Sequence, residues 1–410
     1  MLHDYFAAFT VKETEERAKD EAAKKEKENI DELVRGEGKY AEVSDRYARS
    51  VLLLTAHGIE NKLPDSKGRP EKINPEAYAR VGVDNRDGGG GLKAIVHRQN
   101  DHNNFLADRL SELKQLEVDH HFELSDLDGL PMGSWYLEMP VFLKTPFYFR
   151  DDIPFYIIDN PLRKEKVFGV PFTAATTWKG SLRWSMMKVH LEPAKDNPEL
   201  FAKLRYQHFL LFGSEKGEEY GDHGWAAYLD RLGGEEAKAL FRDFCRKHFQ
   251  AQFGNNGEVG HSSGMLHFFP TFWTEMEMAV INPHDRQTKA GQNPIYYEVI
   301  PPGAKGGLRL LFVPLHWLGK DVQNRVQLVL DDLIAVVAGL EAMLFKYGFS
   351  AKKSLGWGVV KDTWPQEHGV LHIKGIERTI TFSSLKQLQE EIERLKGGGP
   401  GGEPAETVGR

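Results

Sequence analysis

What this chain has least of is cysteine: a single one, Cys245, in 410 residues. One thiol excludes an internal disulfide and a cysteine-based zinc site. Its setting, FRDFCRKHF, has helical spacing and predicts a structural thiol rather than a nucleophile. Long apolar runs are missing as well. No stretch approaches the roughly 20 residues of a membrane span. The first residues, MLHDYFAAFTVKETEE, turn acidic at once, where a signal peptide would be apolar. These absences predict a cytoplasmic chain with no membrane partner. An excess of positive charge is also absent. The formal net charge is −7, so an anionic ligand must be met by local cation clusters and not by the overall field. The histidines follow no metal-binding spacing: Asp119-His120-His121, His261 and His267 are scattered over different predicted elements, without an HExxH pattern.

What is present is aromatic. Eight Trp and 24 Phe are enough for a large core and for stacking surfaces besides. The length allows two domains, or one domain with large insertions. Residues 11–35 are almost all charged or Ala and predict a solvated helix held by pairs three or four apart. SVLLLTAHGIE (50–60) reads as a strand or a buried helix. The glycine run in DGGGGLKAIVHRQND lacks a Gly-Lys-Ser/Thr ending and reads as a loop, with Lys93, His97 and Arg98 as its contacts if it meets a ligand. From Trp135 the texture changes to aromatic and β-branched strands, then helices (FAKLRYQHFLLFG, EEAKALFRDFCRKHFQAQFG), then two long strand-like segments. The helical run VQLVLDDLIAVVAGLEAMLFKYGF follows, and SLGWGVVK and VLHIKGIERTITF add strands. This order predicts an α+β, ferredoxin-like (RRM-like) core. The expected division is a mainly helical N-terminal extension at 1–130 and a core at 131–385 with a helical insertion near 195–260. A helix end and a disordered Gly/Pro tail, 386–410, complete it.

Two stretches carry chemistry. In VPFTAATTWKGSLRWSMMKVH (170–190) a strand end gives way to hydroxyl residues, then to Trp178, Lys179, Gly180 and Arg183, then to an apolar run. That is a loop feeding the N-terminus of a buried helix, where the dipole, free N–H groups and two cations suit a phosphate. Lys179 and Arg183 lie four apart and can share a helix side. Trp178 reads either as a stacking surface for a base or as a core indole. In FSAKKSLGWGVVK (349–361), Lys352, Lys353 and Ser354 precede Gly356, Trp357 and Gly358. Glycines there permit close backbone approach to a phosphate; a plain turn with solvated lysines is the alternative.

With these residues in order, residues 135–382 resemble the RAMP superfamily, the RNA-binding subunits of type III CRISPR effector complexes. VPFTAATTWKGSLRW is similar to the family's loop and helix at Pro171, Lys179, Gly180, Leu182 and Arg183. FLLFGS and GMLHFFPTFW are similar to its Phe-Gly segment and next strand. INPHDRQTKAGQNPIYYEVIPPGA is similar to its Asp-Arg-x-Thr hairpin and Glu-x-Val-Pro strand, at Asp285, Arg286, Thr288, Glu298 and Pro301. GFSAKKSLGWGVV is similar to its glycine-rich loop. The usual Gly-Ser-Ser before the Lys is replaced by Thr173 to Thr177, and residues 1–130 have no counterpart.

The resemblance implies a crRNA-binding subunit in antiviral defence that shapes the guide–target duplex, with other effector subunits, crRNA and target RNA as partners. His284 and Arg286 lie where the family uses a thumb-like hairpin. In the family, target cleavage uses a divalent metal (Mg or Mn) and the target's own 2′-hydroxyl. DDIPFYIIDNP then offers Asp152 as the catalytic, metal-holding carboxylate and Asp151 as its neighbour. A turn-forming Asp pair is the alternative. A non-catalytic capping or scaffold subunit, or a stand-alone RNA-processing endoribonuclease, would keep the same fold.

Overall fold

The computed structural model describes residues 122–152, 160–215, 224–253, 261–284, 287, 291, 295–364, 366–376 and 378–397. Of the first 121 residues it describes 9, 25, 28–33, 36–43, 48–49, 52, 60–64, 70–72 and 99–116. The glycine run at 88–91 with Lys93, His97 and Arg98, together with His120, His121, Asp285, Arg286 and Thr288, lies outside the described residues, as do most of 11–35 and the Gly/Pro tail. The chain forms two compact units. One comprises residues 120–145, 173–271 and 305–410; the other comprises 1–119, 146–172 and 272–304.

The first unit is built on an antiparallel sheet. Its strands are β1 (Trp135–Phe142), β2 (Leu266–Phe268), β3 (Lys305–Phe312), β4 (Gly369–Ile373) and β5 (Ile380–Phe382), in the order β5-β4-β1-β3-β2. Helix α1 (Ala175–Met186) lies between β1 and β2, and α4 (Val322–Glu341) between β3 and β4. Without β5 the order is 4-1-3-2 with a helix in each split crossover, which is the ferredoxin-like topology. Two helices, α2 (Pro198–Phe212) and α3 (Trp225–Phe253), are inserted after α1, and α5 (Leu385–Gly397) closes the chain.

The register explains the core. Trp135 faces Phe312 across β1 and β3, their rings stacked at 5.2 Å. Period-two alternation then places Leu137, Met139 and Val141 on the same face as Leu308 and Leu310. Buried side chains of α1 (Trp178, Leu182, Met186), α4 (Leu333, Val337, Leu340) and α5 (Leu388, Ile392) complete this core, with α4 packed on both α1 and α5. The opposite face is covered too: Tyr136 is fully buried, with Phe122 stacked at 4.8 Å and Phe269 edge-on. Its hydroxyl donates to Glu138, and burial raises its pKa.

The inserted helices are tied by charge. Arg205 of α2 pairs with Glu215 and with Asp230 of α3, both at 2.7 Å, and its guanidinium stands 4.3 Å from the Phe241 ring. A second tie is a histidine pair: His248 Nε2 and His316 Nδ1 are 3.1 Å apart. His316 Nε2 sits 3.1 Å from the Ser263 carbonyl, which only accepts, so Nδ1 is left to accept from His248. Cys245 is buried and its thiol is pushed up to about 12, which fits a structural role.

Several strand expectations differ from the structure. The two long segments after α3 are cut at Pro270 and at Pro301-Pro302, giving short strands separated by turns. SLGWGVVK forms no strand, only an isolated bridge from Val360 to Leu143. Its two glycines at positive φ divert it into a loop.

In the second unit an antiparallel hairpin pairs Glu277–Ile281 with Ile295–Val299. Glu298, on this hairpin, is fully buried and pairs with Lys164; it also accepts from the Leu162 N–H at 3.1 Å. Phe147 and Trp273 stack at 5.7 Å. Among the described residues no helix is long and apolar enough to cross a membrane.

Asp332 of α4 supplies a test of the core. It is buried, accepts from Gln207 at 2.9 Å and from Trp317 Nε1 at 3.0 Å, and burial pushes its carboxyl up to about 7. A carboxyl raised in the fold binds a proton that the unfolded chain has shed, so stability falls as pH rises from about 4 to 7 and stays low above that. Asp332→Asn, with the Gln207 amide rotated to accept from it, is expected to gain on the order of 2–4 kcal/mol at pH 8 and little at pH 4. Urea unfolding across that range measures it; equal gains at both pH values would count against a buried titrating carboxyl.

Candidate nucleic-acid interface

Helix α1 starts without a side-chain cap. Its N-cap is Ala174, whose extended backbone (φ −65°, ψ 147°) offers no side-chain acceptor to the first N–H groups. Trp178 decides how the helix sits. It is fully buried, its Nε1 donates to Thr271 Oγ1 at 2.9 Å, and its ring lies 4.5 Å from Phe349. Thr271 in turn donates to the Gly307 carbonyl of β3. Trp178 is therefore no stacking surface for a base; the core reading holds. It begins an apolar stripe, Trp178, Leu182, Met186, at i, i+4, i+8.

That stripe fixes what the other faces present. Gly180 is exposed, and nothing lies within 4 Å of the place where a Cβ would stand. A helical glycine costs about 1 kcal/mol relative to Ala, and no packing among the described residues explains it. Lys179 is half-buried, close enough to His267 for its charge to add to the burial that lowers the His267 pKa. Arg183 does not share a free face with Lys179. It turns toward α2, 6.0 Å from the Phe212 ring, and burial lowers its pKa against the opposing pull of Glu215. His208, beside it, is held at about 3 by burial and stays neutral.

The lysine loop is closed at its neck by two glycines. Gly348 (φ +70°) and Gly358 (φ +79°) face each other through the Phe349 N–H to Gly358 carbonyl bond at 3.2 Å. A Cβ at Gly348 would stand 2.7 Å from the Trp357 carbonyl, and one at Gly358 2.5 Å from the Ser350 N. Gly358 is thus needed by the neck. The tip is a short turn, Lys353–Leu355, ended by Gly356 in the left-handed region. Lys353, Ser354 and Gly356 are exposed, and Lys352 and Trp357 are half-buried.

Helix and loop meet. Phe349 touches Trp178 at the neck, and at the tip the Lys353 ammonium stands 4.6 Å over the Trp184 ring. Although Lys353 is exposed as a residue, partial desolvation of its ammonium lowers its pKa. Lys188 lies 5.5 Å from the same ring, and Tyr347 meets it edge-on at 4.9 Å, with Lys346 over Tyr347 at 5.3 Å. Lys188 also pairs with Glu192. The result is a surface of cations interleaved with aromatic rings, the composition that holds RNA backbone and bases. Trp184, Tyr347, Lys188 and Lys346 were not singled out in the sequence. The signal was available for Trp184: it follows Gly180 by four and falls off the Trp178–Leu182–Met186 stripe.

The remaining sequence candidates belong to the second compact unit. Asp151 is committed to the backbone, accepting from the Asp152 N–H at 2.8 Å and from the Lys164 N–H at 3.3 Å. Asp152 stands exposed beside it. His284 is exposed and bridges to Gly291 across the hairpin. Among the described residues no group of three or more His, Cys, Asp or Glu side chains converges on a metal position. Asp152 is a hard oxygen donor, suited to a Mg or Mn ion that draws its other ligands from water and phosphate.

An uncapped helix, an empty-sided glycine and a lysine loop thus lie together on an α+β module with a ferredoxin-like sheet. The RAMP superfamily model matches residues 141–361, more than half of the chain, and this chain belongs to that superfamily. No curated protein matches it. Among solved structures, a chain of the type III-B Cmr-beta complex bound to cognate target RNA aligns at 10% identity. The alignment covers 87% of this chain and 99% of that one, with a TM-score of 0.36. A chain from a Csm subcomplex of the type III-A CRISPR-Cas interference complex aligns at 12% identity, covering 65% and 98%, with a TM-score of 0.32.

Gly180→Ala is expected to stabilise the folded chain by about 0.5–1 kcal/mol, since the methyl meets open space and the helix gains propensity. A higher urea midpoint checks it; a lower one would mean that the surface around Gly180 is closed.

Proposed function

We propose that this chain is a crRNA-binding subunit of a type III CRISPR effector ribonucleoprotein, gripping the guide through α1 and the loop at 348–358. The observation that carries the reading is the meeting of helix and loop, at Trp178 with Phe349 and at Trp184 with Lys353. Two stretches about 170 residues apart in sequence are thereby joined into one cationic, aromatic surface in a chain whose net charge is −7. Membership of the RAMP superfamily supports the same reading. The partners on this reading are crRNA, target RNA and further effector subunits.

In the purified chain, Lys179→Ala and Lys353→Ala are each expected to weaken single-stranded RNA binding and to lower the slope of log affinity against log salt by about 0.7. Gly180→Ala is expected to weaken RNA binding although it stabilises the fold. Unchanged affinity in all three variants would remove this surface from RNA binding.

A cutting role rests on Asp152, because Asp151 already spends both carboxylate oxygens on backbone N–H groups. A divalent Mg or Mn ion bound at Asp152 would supply positive charge to the scissile phosphate. The carboxylate's own task is to hold that ion or orient the target's 2′-hydroxyl. Asp152→Ala in a reconstituted complex is expected to abolish target cleavage while guide binding persists. Undiminished cleavage would make this a capping subunit instead.

A further inference from the structure

The ring cluster on α1 supports a finer reading, which rests on the assignment of this surface to RNA. Trp184 is half-buried and lies off the apolar stripe of its helix. Tyr347 meets it at an interplanar angle of 79°, which fixes the plane of the indole from one edge. The face of the ring is held by the ends of long, flexible side chains, Lys353 at 4.6 Å and Lys188 at 5.5 Å. One turn earlier in the same row, Gly180 leaves the helix surface bare at that point, with nothing among the described residues within 4 Å of the place where a Cβ would stand.

We propose that Trp184 is a stacking platform for one unpaired base of the RNA, and that Lys353 covers the ring face in the free protein and passes to a neighbouring phosphate when the base arrives. Magnitudes favour the exchange. A lysine over a partly exposed ring is worth about a two- to fivefold bias. Stacking of a base on an aromatic side chain is worth about five- to 150-fold. The displaced ammonium loses nothing, because its flexible four-carbon stem lets it exchange a ring quadrupole for a phosphate charge. Three lysines around the rings, with Glu192 pairing to one of them, suit a polyanion better than the mixed charges of a protein surface.

The test uses the full chain and a single-stranded RNA oligonucleotide, in intact form and as a version whose nucleotides are abasic, with affinity read by fluorescence anisotropy. Wild-type protein is expected to bind intact RNA about five- to 150-fold more tightly than abasic RNA. Trp184→Ala is expected to lose that factor on intact RNA, keep the salt slope and bind abasic RNA as the wild type does; Trp184→Phe is expected to retain most of the affinity. Pairing the oligonucleotide with its complement is expected to erase the difference between wild type and Trp184→Ala. Equal wild-type affinity for intact and abasic RNA, a measurement that needs no variant to fold, overturns the platform. So does a Trp184→Ala chain that binds intact RNA normally, and in both cases the RNA-binding reading stands. A wild-type chain that binds neither RNA overturns both.

Discussion

The Trp178 indole is the point on which the candidate interface depends. Its N–H reaches Thr271, and the Thr271 hydroxyl reaches the main chain of β3, so the helix is pinned to the sheet by a relay of two hydrogen bonds. Its ring closes against Phe349 at the neck of the lysine loop. A buried Trp of this kind contributes about 3–5 kcal/mol to stability. Because it also sets the rotation of α1, the positions of Lys179, Gly180 and Trp184 follow from it. A residue that read equally as a ligand contact or as core works by being inaccessible.

Charge is arranged locally. Arg205 is enclosed by two carboxylates and spends its positive charge on joining α2 to α3. Arg183 turns inward toward the same helix pair. Lys179, Lys188, Lys352 and Lys353 stand near α1 and the loop, and their compact heads on flexible stems adapt to a backbone whose path varies with sequence. An overall negative charge is compatible with RNA binding on these terms, since screening confines each cluster's field to about 10 Å.

The ferredoxin-like core was legible because its signals are local: alternation in WYLEMPVF, helical period in the segment that became α4, and the spacing of strands between them. The helix entrance at 174–184 and the basic loop were legible as separate anion-receptive pieces. That they touch was not, since the pairing of Trp184 with Lys353 depends on the close of the sheet and on two positive-φ glycines. The choice between core and surface for Trp178 was open for a similar reason. An indole N–H needs a partner when buried, and Thr271 is 93 residues away. Periodicity alone overstated the strands that contain Pro270, Pro301 and Pro302. The Asp151-Asp152 pair read as two carboxylates, while backbone hydrogen bonds engage Asp151 and leave Asp152 exposed.

The lysine loop is sealed below its tip. Gly348 and Gly358 pinch the neck, Phe349 is held in the core, and Val359 is fastened to Thr145 by a bond of 3.0 Å from its N–H. Residues 351–357 therefore hang from a closed collar. Such a segment can diverge quickly in sequence, or be exchanged for a segment with other contacts, while the sheet beneath it stays unchanged. The collar separates what the protein must keep in order to fold from what it is free to alter at its surface.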